Sequence, residues 1–323
     1  LFFWSFSEKL IIYLIGTTFL THHICIWMDT MDKRDKRKKR VFQLGILLLL
    51  GTILCLKYRN FFFGNVSKLA MVLHIDWSYQ DQLIFLPIGI SFYTLSAIGY
   101  MADVYWGKVK AEYSLVKTAL FLGFFPVIVE GPICRWEDVE DTLFKNESVK
   151  AENVFKGCYR IIWGLFKKMI IADRLAVLVD KVYVGYESYS GAVIVAAAIS
   201  YTIQLYMEFS GCMDMVIGSA GLFGIRLPEN FSQPFFAKTC TDFWKRWHIT
   251  LGVWFKNYIF YPVSISKTAR KWNKFTRKHF KGDFGKYVAR MGIAAMALFP
   301  VWISNGGTVR NGITFFTDYI TLD

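Results

Sequence analysis

A single histidine lies in a dense run of aromatic and cationic residues in the C-terminal third of the chain. Residues 243–250 read F-W-K-R-W-H-I-T, with the histidine at position 248. Imidazole is the side chain that most readily takes or gives a proton near neutral pH. Ionisable groups are costly in apolar sequence, so His248 is predicted to lie at a reaction centre, with Trp244, Arg246 and Trp247 beside it. The alternatives are a structural histidine, and an Arg246 and Trp247 that only shape a tunnel and make no contact with a donor.

Three further polar segments interrupt apolar sequence, at residues 86–94, 124–135 and 204–231. Proline and glycine in the first segment predict a broken or kinked helix. In the second segment, the carboxylate of Glu130 and the guanidinium of Arg135 lie close enough in sequence to form an ion pair. In the third, Glu208 and Asp214 flank a Ser-Gly step, so each is expected to meet a polar partner or a water-filled path. The alternative for Asp214 is that it stabilises a helix break at this step. The candidate residues that line a cavity in these segments are Glu130, Arg135, Ser210, Asp214 and Asn230.

The composition predicts a polytopic membrane protein. Hydrophobic residues make up 54% and aromatic residues 18% of the 323 residues, more than a soluble domain of this length usually carries. The formal charge of +13 comes from basic residues between apolar stretches, where a positive-inside bias or anionic lipid accounts for it. We therefore expect no nucleic-acid partner. The six cysteines are scattered without a C-x-x-C pair, so neither disulfides nor a metal site is expected.

Apolar stretches mark candidate helices that span or partly span a bilayer. They are residues 10–28, 42–56, 83–101, 115–133, 156–180, 191–209, 212–225 and 286–304. Several are shorter than the roughly 20 residues that a perpendicular span needs, so tilted or re-entrant helices around a tunnel are expected. Basic runs at 33–40 and 267–281 are expected on the cytoplasmic side. With no internal repeat, residues 1–323 are predicted to form one all-α membrane domain.

Four motifs in order resemble the membrane-bound O-acyltransferase family, and most closely its bacterial alginate O-acetyltransferase branch. They are L-P-I-G-I-S-F-Y-T from Leu86, F-F-P followed by G-P-I-C-R from Phe124 to Arg135, F-S-G-C-M-D-M through L-P-E-N-F from Phe209 to Phe231, and F-W-K-R-W-H-I from Phe243. The resemblance covers nearly the whole chain. It implies a ring of tilted helices around a thin centre, where a tunnel joins the two sides of the membrane.

Family members usually carry two histidines at this centre, and His248 matches the first. The second lies in a downstream W-H-G motif, whereas residues 306–312 here read G-G-T-V-R-N-G. Codons permitted from Gly307 onward allow H-G-A-E-W-N-Y in another reading frame. We therefore expect residues 307–323 to be out of frame and the family's C-terminal part to be missing. Because the chain begins at Leu1 in apolar sequence, its first residues are expected to be missing as well.

The resemblance implies an O-acyltransferase that moves an acyl group, acetyl in this branch, toward a hydroxyl of an extracellular polysaccharide or cell-wall glycan. The implied donor is acetyl-CoA or another acyl thioester, with no bound cofactor, and the implied location is the bacterial cytoplasmic membrane. A separate extracytoplasmic acyltransferase is the expected partner. The alternatives are D-alanyl transfer of the teichoic-acid type and, without the second histidine, an inactive scaffold or pore. His22, His23 and His74 are expected at membrane interfaces and His279 in solvent.

Overall fold

The computed structural model describes residues 2–32, 35–80, 86–145, 149–280, 286, 288, 291 and 292. Their regular elements are all helices, which confirms the all-α prediction. In chain order they are α1 (Phe2–Ser7), α2 (Ile11–Asp29), α3 (Lys36–Lys57), α4 (Arg59–Val72), α5 (Ile90–Trp106), α6 (Leu115–Leu122), α7 (Phe125–Glu130), α8 (Trp136–Leu143), α9 (Ala151–Leu165), α10 (Asp173–Val184), α11 (Gly191–Leu222), α12 (Cys240–Trp244), α13 (Ile249–Phe255), α14 (Tyr261–Ser264) and α15 (Lys267–His279).

Three of these helices, α2, α3 and α11, are long and apolar enough to cross a membrane. They contain 19, 22 and 32 residues, and about 20 residues of helix span the 30 Å hydrocarbon core of a bilayer. The chain is therefore a multi-pass membrane protein. Most of the candidate helix at 286–304 lies outside the described residues. The whole segment at 306–312 lies outside them.

The chain divides into two compact units, Leu1–Asp29 with Ile88–Thr250 and Thr30–Pro87 with Leu251–Asp323. In the first unit, α2 packs against α5 and α6, and Tyr93, Tyr100 and Met101 of α5 are almost fully buried. The ring of Tyr100 stacks on Trp136 with centroids 4.7 Å apart. His22, expected at a membrane interface, is instead buried in this packing, where its Nδ1 lies 3.2 Å from the Thr118 hydroxyl.

In the second unit, α15 is a strongly amphipathic helix. Its N-cap is Ser266, whose hydroxyl accepts a hydrogen bond from the backbone N–H of Ala269 at 3.1 Å. Ala269 and Thr276 lie on its buried face, and its cations lie on the exposed face. The exposed cations are Lys267, Arg270, Lys271, Lys274, Arg277 and Lys278. The part of the basic sequence that lies in Lys267–His279 thus forms one charged helical surface.

Helices α9 and α11 form the most extensive helix–helix contact of the first unit among the described residues, and glycines face each other across it at two levels. A Cβ atom added to Gly157 would lie 2.8 Å from the carbonyl oxygen of Gly218. One added to Gly211 would lie 2.9 Å from the carbonyl oxygen of Gly164. Real Cβ atoms do not approach backbone oxygens so closely, so only glycine permits this separation of the two helices. The contact fixes which side chains of α9 and α11 face each other.

The helices differ from the sequence expectations at several boundaries. The break expected at Ser210–Gly211 is wrong, because α11 runs unbroken through both residues. The stretch 115–133 is two helices, since Gly123 ends α6 and Pro126 lies in the first turn of α7. The stretch 156–180 comprises α9, a π-helical turn at Phe166–Ala172 and α10.

The proline and glycine at positions 87 and 89 start a helix rather than kink one. Gly89 adopts a left-handed conformation with φ of 69° immediately before α5. A side chain there would also collide with the backbone carbonyl of Ile128. The residue before α5 must therefore be glycine for both conformational and steric reasons.

Candidate functional site

Two loops meet at the candidate site, one after α11 and one between α12 and α13. The backbone N–H of Ser232 donates to the carbonyl oxygen of Arg246 at 3.0 Å. The N–H of Ile249 donates to the carbonyl oxygen of Asn230, also at 3.0 Å. These two bonds hold the L-P-E-N-F and R-W-H-I segments together. They bring Asn230 to His248, two of the residues predicted from sequence.

The side chain of Asn230 is fully buried and lies at the centre of the polar contacts. Its Oδ1 lies 3.1 Å from His248 Nδ1 and 3.1 Å from the backbone nitrogen of Thr250. The Thr250 hydroxyl lies 2.9 Å from the same oxygen. The Asn230 amide nitrogen faces the sulfur of Met213 on α11 at 3.1 Å. A buried amide with contacts at both ends has one stable orientation.

Thr250 connects this centre to the G-P-I segment. The backbone N–H of Ile133 donates to the Thr250 hydroxyl oxygen at 3.1 Å, and that group is buried. Three of the four sequence motifs therefore meet within one hydrogen-bonded chain that runs from Ile133 through Thr250 and Asn230 to His248.

His248 itself has an unusual backbone conformation. Its φ is 45°, one of three positive values among the non-glycine residues that the structure describes. Such conformations are uncommon and cluster at functional sites, where surrounding structure maintains them. The ring packs edge-on against Phe209, with centroids 4.8 Å apart. His248 lies outside the three candidate spans, and burial lowers its pKa to about 3. The imidazole is therefore neutral at physiological pH and can accept a proton.

Trp247 fixes the loop by packing rather than by polar contacts. It is buried and stacks on Phe243 with centroids 5.6 Å apart, while Phe231 meets it edge-on at 5.1 Å. Arg246 donates from Nε to Asp242 at 3.1 Å within the same turn. Trp244 is half exposed. Of the three candidates around the histidine, Trp247 has the most extensive contacts with the loop that carries Asn230.

An open cleft of ≈ 740 Å³ adjoins this centre. Its wall contains α9, α11 and the loop at 229–233, and it includes the predicted residues Ser210, Asp214 and Asn230. The Ser210 hydroxyl is buried and has no hydrogen-bond partner within the described part of the chain. A buried hydroxyl without a partner is costly, so Ser210 is a site of unsatisfied polarity beside the cleft.

Ion pairs across α9 and α11 line the same cleft. Asp214 accepts from Arg160 Nε at 3.0 Å and from Lys167 Nζ at 2.6 Å. Arg160 also donates two hydrogen bonds to Glu229, at 2.7 and 2.6 Å. The bidentate geometry fixes the loop that carries Asn230 onto α9. Asp214 therefore joins α11 to α9 and to the π-helical turn after it, so its expected polar partners are present and it does not stabilise a helix break.

Glu130 and Arg135 were expected to pair with each other, but the structure gives each of them other partners. Arg135 lies at the N-cap of α8, where Nη2 donates to Asp138 at 2.7 Å and a second ion pair forms with Glu137. Glu130, at the end of α7, interacts with the Cys212 thiol of α11. Acidic residues in the first turn of α8 draw the guanidinium toward that helix. Neither residue is among those that line the cleft.

Four residues of this centre were not assigned from the sequence: Arg160, Lys167, Met213 and Thr250. Arg160 and Lys167 lie seven residues apart in an apolar stretch, which places them on one helix face. Gly157 and Gly164, each three residues earlier, repeat that seven-residue spacing. The two spacings together could have predicted a helix face on which Arg160 and Lys167 lie beside a closely packed partner helix. Thr250 and Met213 carry no comparable pattern.

A model of the membrane-bound O-acyltransferase family matches residues 108–277, which include the cleft, Asn230 and His248. The chain is 34% identical over 245 residues to "Probable alginate O-acetylase AlgI" of Pseudomonas aeruginosa, covering 76% of this chain and 46% of that protein. It is 30% identical over 296 residues to "Peptidoglycan O-acetyltransferase" of Helicobacter pylori, covering 81% and 54%. Over 193 residues it is 30% identical to "Teichoic acid D-alanyltransferase" of Bacillus subtilis, covering 58% and 48%. The chain spans about half the length of these curated relatives.

Proposed function

Because this chain belongs to the membrane-bound O-acyltransferase family, we propose that the protein transfers an acyl group from a thioester to a hydroxyl group of a glycan. The observation that carries the proposal is the contact between buried Asn230 and His248, next to an open polar cleft. An alcohol is a weak nucleophile near neutral pH and needs a base. A neutral imidazole at the junction of three family motifs supplies one.

In the proposed reaction, the His248 imidazole takes the proton of the attacking hydroxyl as its oxygen bonds to the acyl carbonyl carbon. The carbon–sulfur bond of the thioester then breaks, and the leaving thiolate takes the proton from the imidazolium. The products are an ester and a free thiol, and the histidine is neutral again. A positioned general base contributes about 10²- to 10⁴-fold to such a rate.

The proposed acyl group is acetyl, supplied at the cytoplasmic face of a bacterial inner membrane by acetyl-CoA or another thioester. Similarity to a probable alginate O-acetylase and to a peptidoglycan O-acetyltransferase supports this choice. The proposed acceptor is an extracellular polysaccharide or a cell-wall glycan, reached through an extracytoplasmic acyltransferase partner. Similarity to a teichoic acid D-alanyltransferase supports D-alanyl transfer as the second candidate.

The test is an acyl-transfer assay with membranes that contain the protein expressed from its own gene. Radiolabelled acetyl-CoA and a D-alanyl carrier thioester are supplied separately, and base-labile label on glycan is measured. We expect acetyl label that depends on the protein. If only the D-alanyl donor gives label on glycan, the transferred group is D-alanyl and not acetyl. No label from either donor, with the protein present and folded, would contradict acyl transfer.

A further inference from the structure

The orientation of the Asn230 amide is determined by its neighbour Thr250. The backbone nitrogen of Thr250 lies 3.1 Å from one end of the amide. A backbone N–H can only donate a hydrogen bond, so the atom facing it is the carbonyl oxygen. The amide nitrogen accordingly faces the Met213 sulfur, a weak acceptor. The contact between this amide and His248 is therefore made by an oxygen.

This oxygen determines which ring nitrogen of His248 carries the proton. Asn230 Oδ1 lies 3.1 Å from His248 Nδ1 and can only accept. A neutral imidazole has one N–H and one bare nitrogen, so the proton must be on Nδ1. We propose that Asn230 is a positioning residue that holds His248 in the Nδ1–H tautomer and leaves Nε2 as the base. The catalytic part of this inference rests on the proposed function.

Thr250 holds Asn230 in place by directing its own hydroxyl hydrogen. The Thr250 oxygen accepts the N–H of Ile133 at 3.1 Å, so its hydrogen is free to point to Asn230 Oδ1, 2.9 Å away. Asn230 is also bonded through its backbone oxygen to the N–H of Ile249. With the side chain fully buried, the amide cannot rotate without breaking several of these bonds. The donated hydrogen bonds therefore converge on Asn230 Oδ1, from Thr250 on one side and from His248 on the other.

The first experiment measures the tautomer without measuring activity. The whole protein, labelled with ¹⁵N-histidine in detergent, gives ring-nitrogen chemical shifts near neutral pH, and His248→Gln identifies the signals of His248. We expect a protonated Nδ1 and a bare Nε2, and a mixture of tautomers in Asn230→Ala. A bare Nδ1 in the unsubstituted protein would overturn the inference. This measurement needs no substrate, so a wrong tautomer would contradict the inference about Asn230 without contradicting the proposed function.

The second experiment compares Asn230→Asp with Asn65→Asp. Aspartate keeps an oxygen acceptor and adds a negative charge beside the ring, so the His248 pKa rises and the acid limb of kcat/KM moves up by about 1–3 pH units. Within the described residues, burial is the cause of the His248 pKa shift, and no neighbouring charge contributes. Asn65 is exposed on α4, so its replacement leaves the profile unchanged. An unshifted acid limb in folded Asn230→Asp would contradict a positioning role.

Substitutions at Thr250 perturb the same hydrogen bonds without changing Asn230 itself. Thr250→Val removes the hydroxyl between Ile133 and Asn230, whereas Thr250→Ser retains it. We expect about a 10-fold lower kcat with little change in KM for Thr250→Val, equal to one neutral hydrogen bond of about 1.4 kcal/mol. Thr250→Ser should restore most of the rate. Equal rates for the valine and serine variants would show that the Thr250 hydroxyl does not help to position Asn230.

Discussion

At the scale of single residues, His248 adopts a conformation that its neighbours must maintain. A positive φ at a non-glycine residue costs on the order of 1–3 kcal/mol, and His248 has a φ of 45°. The backbone bonds from Ser232 to Arg246 and from Ile249 to Asn230 flank it on both sides. The loop thus maintains a strained residue whose ring is aimed at one hydrogen-bond acceptor.

The lowered pKa of His248 predicts how stability depends on pH. Burial disfavours the imidazolium and lowers the folded pKa to about 3, whereas an unfolded histidine has a pKa of about 6.5. As the pH falls below about 6.5, the unfolded chain takes up a proton that the folded chain does not, so the free energy of unfolding decreases.

Thermal unfolding in detergent between about pH 5 and about pH 7.5 measures this effect. We expect His248→Gln to lose part of the decrease at acidic pH, and His279→Gln, an exposed position on α15, to retain it. If both variants follow the same pH dependence as the unsubstituted protein, His248 is not held neutral by burial.

Sequence patterns could identify His248, Asn230, Ser210 and Asp214 because each is a polar residue in an apolar segment. They could not identify Thr250, whose role depends on Ile133, 117 positions away in the chain. A threonine is compatible with many environments, so its type alone carries no signal. Motif order located the region, and only the fold shows the hydrogen bonds between the motifs.

At the scale of helices, the glycines between α9 and α11 are predicted to be required for stability. A Cβ on Gly164 would lie 2.7 Å from the Met215 side chain and against the backbone oxygen of Gly211. Gly164→Ala should therefore destabilise the protein by about 1–3 kcal/mol through overpacking.

Gly51→Ala on α3 is the matched control, because a Cβ there meets nothing within 4 Å. This control should be neutral or stabilising by up to about 1 kcal/mol, since alanine favours helix more than glycine does. The midpoint of thermal unfolding in detergent compares the two variants. A Gly164→Ala protein as stable as Gly51→Ala would mean that the two helices can separate at little cost.

The same contact explains why the helix break expected at Ser210–Gly211 is wrong. Glycine inside a helix usually signals a break, because it costs about 0.5–1 kcal/mol relative to alanine. Here Gly211 is kept because Gly164 lies against it, which a local pattern cannot reveal. By contrast, Gly89 and Pro126 act locally: the first immediately precedes α5 and the second lies in the first turn of α7, although the expected stretches 83–101 and 115–133 ran through both positions.

At the scale of the whole molecule, composition was sufficient to predict a helical membrane protein. The three candidate spans, the family match over residues 108–277 and the absence of strands among the described residues agree with that prediction. The single domain over residues 1–323 stays a prediction beside the two compact units. Residues 307–323, where a reading-frame shift was expected, lie outside the described residues. The tunnel implied by the family also stays a prediction.

The measurement that tests acyl transfer at His248 most directly compares two histidine variants in one assay. Membranes containing His248→Gln or His279→Gln, each expressed from the protein's own gene at matched levels, receive radiolabelled acetyl-CoA and glycan acceptor. We predict a rate about 10²- to 10⁴-fold lower for His248→Gln and an unchanged rate for His279→Gln, whose ring lies in the exposed part of α15. Acetyl transfer by folded His248→Gln at the unsubstituted rate would contradict this account of the site.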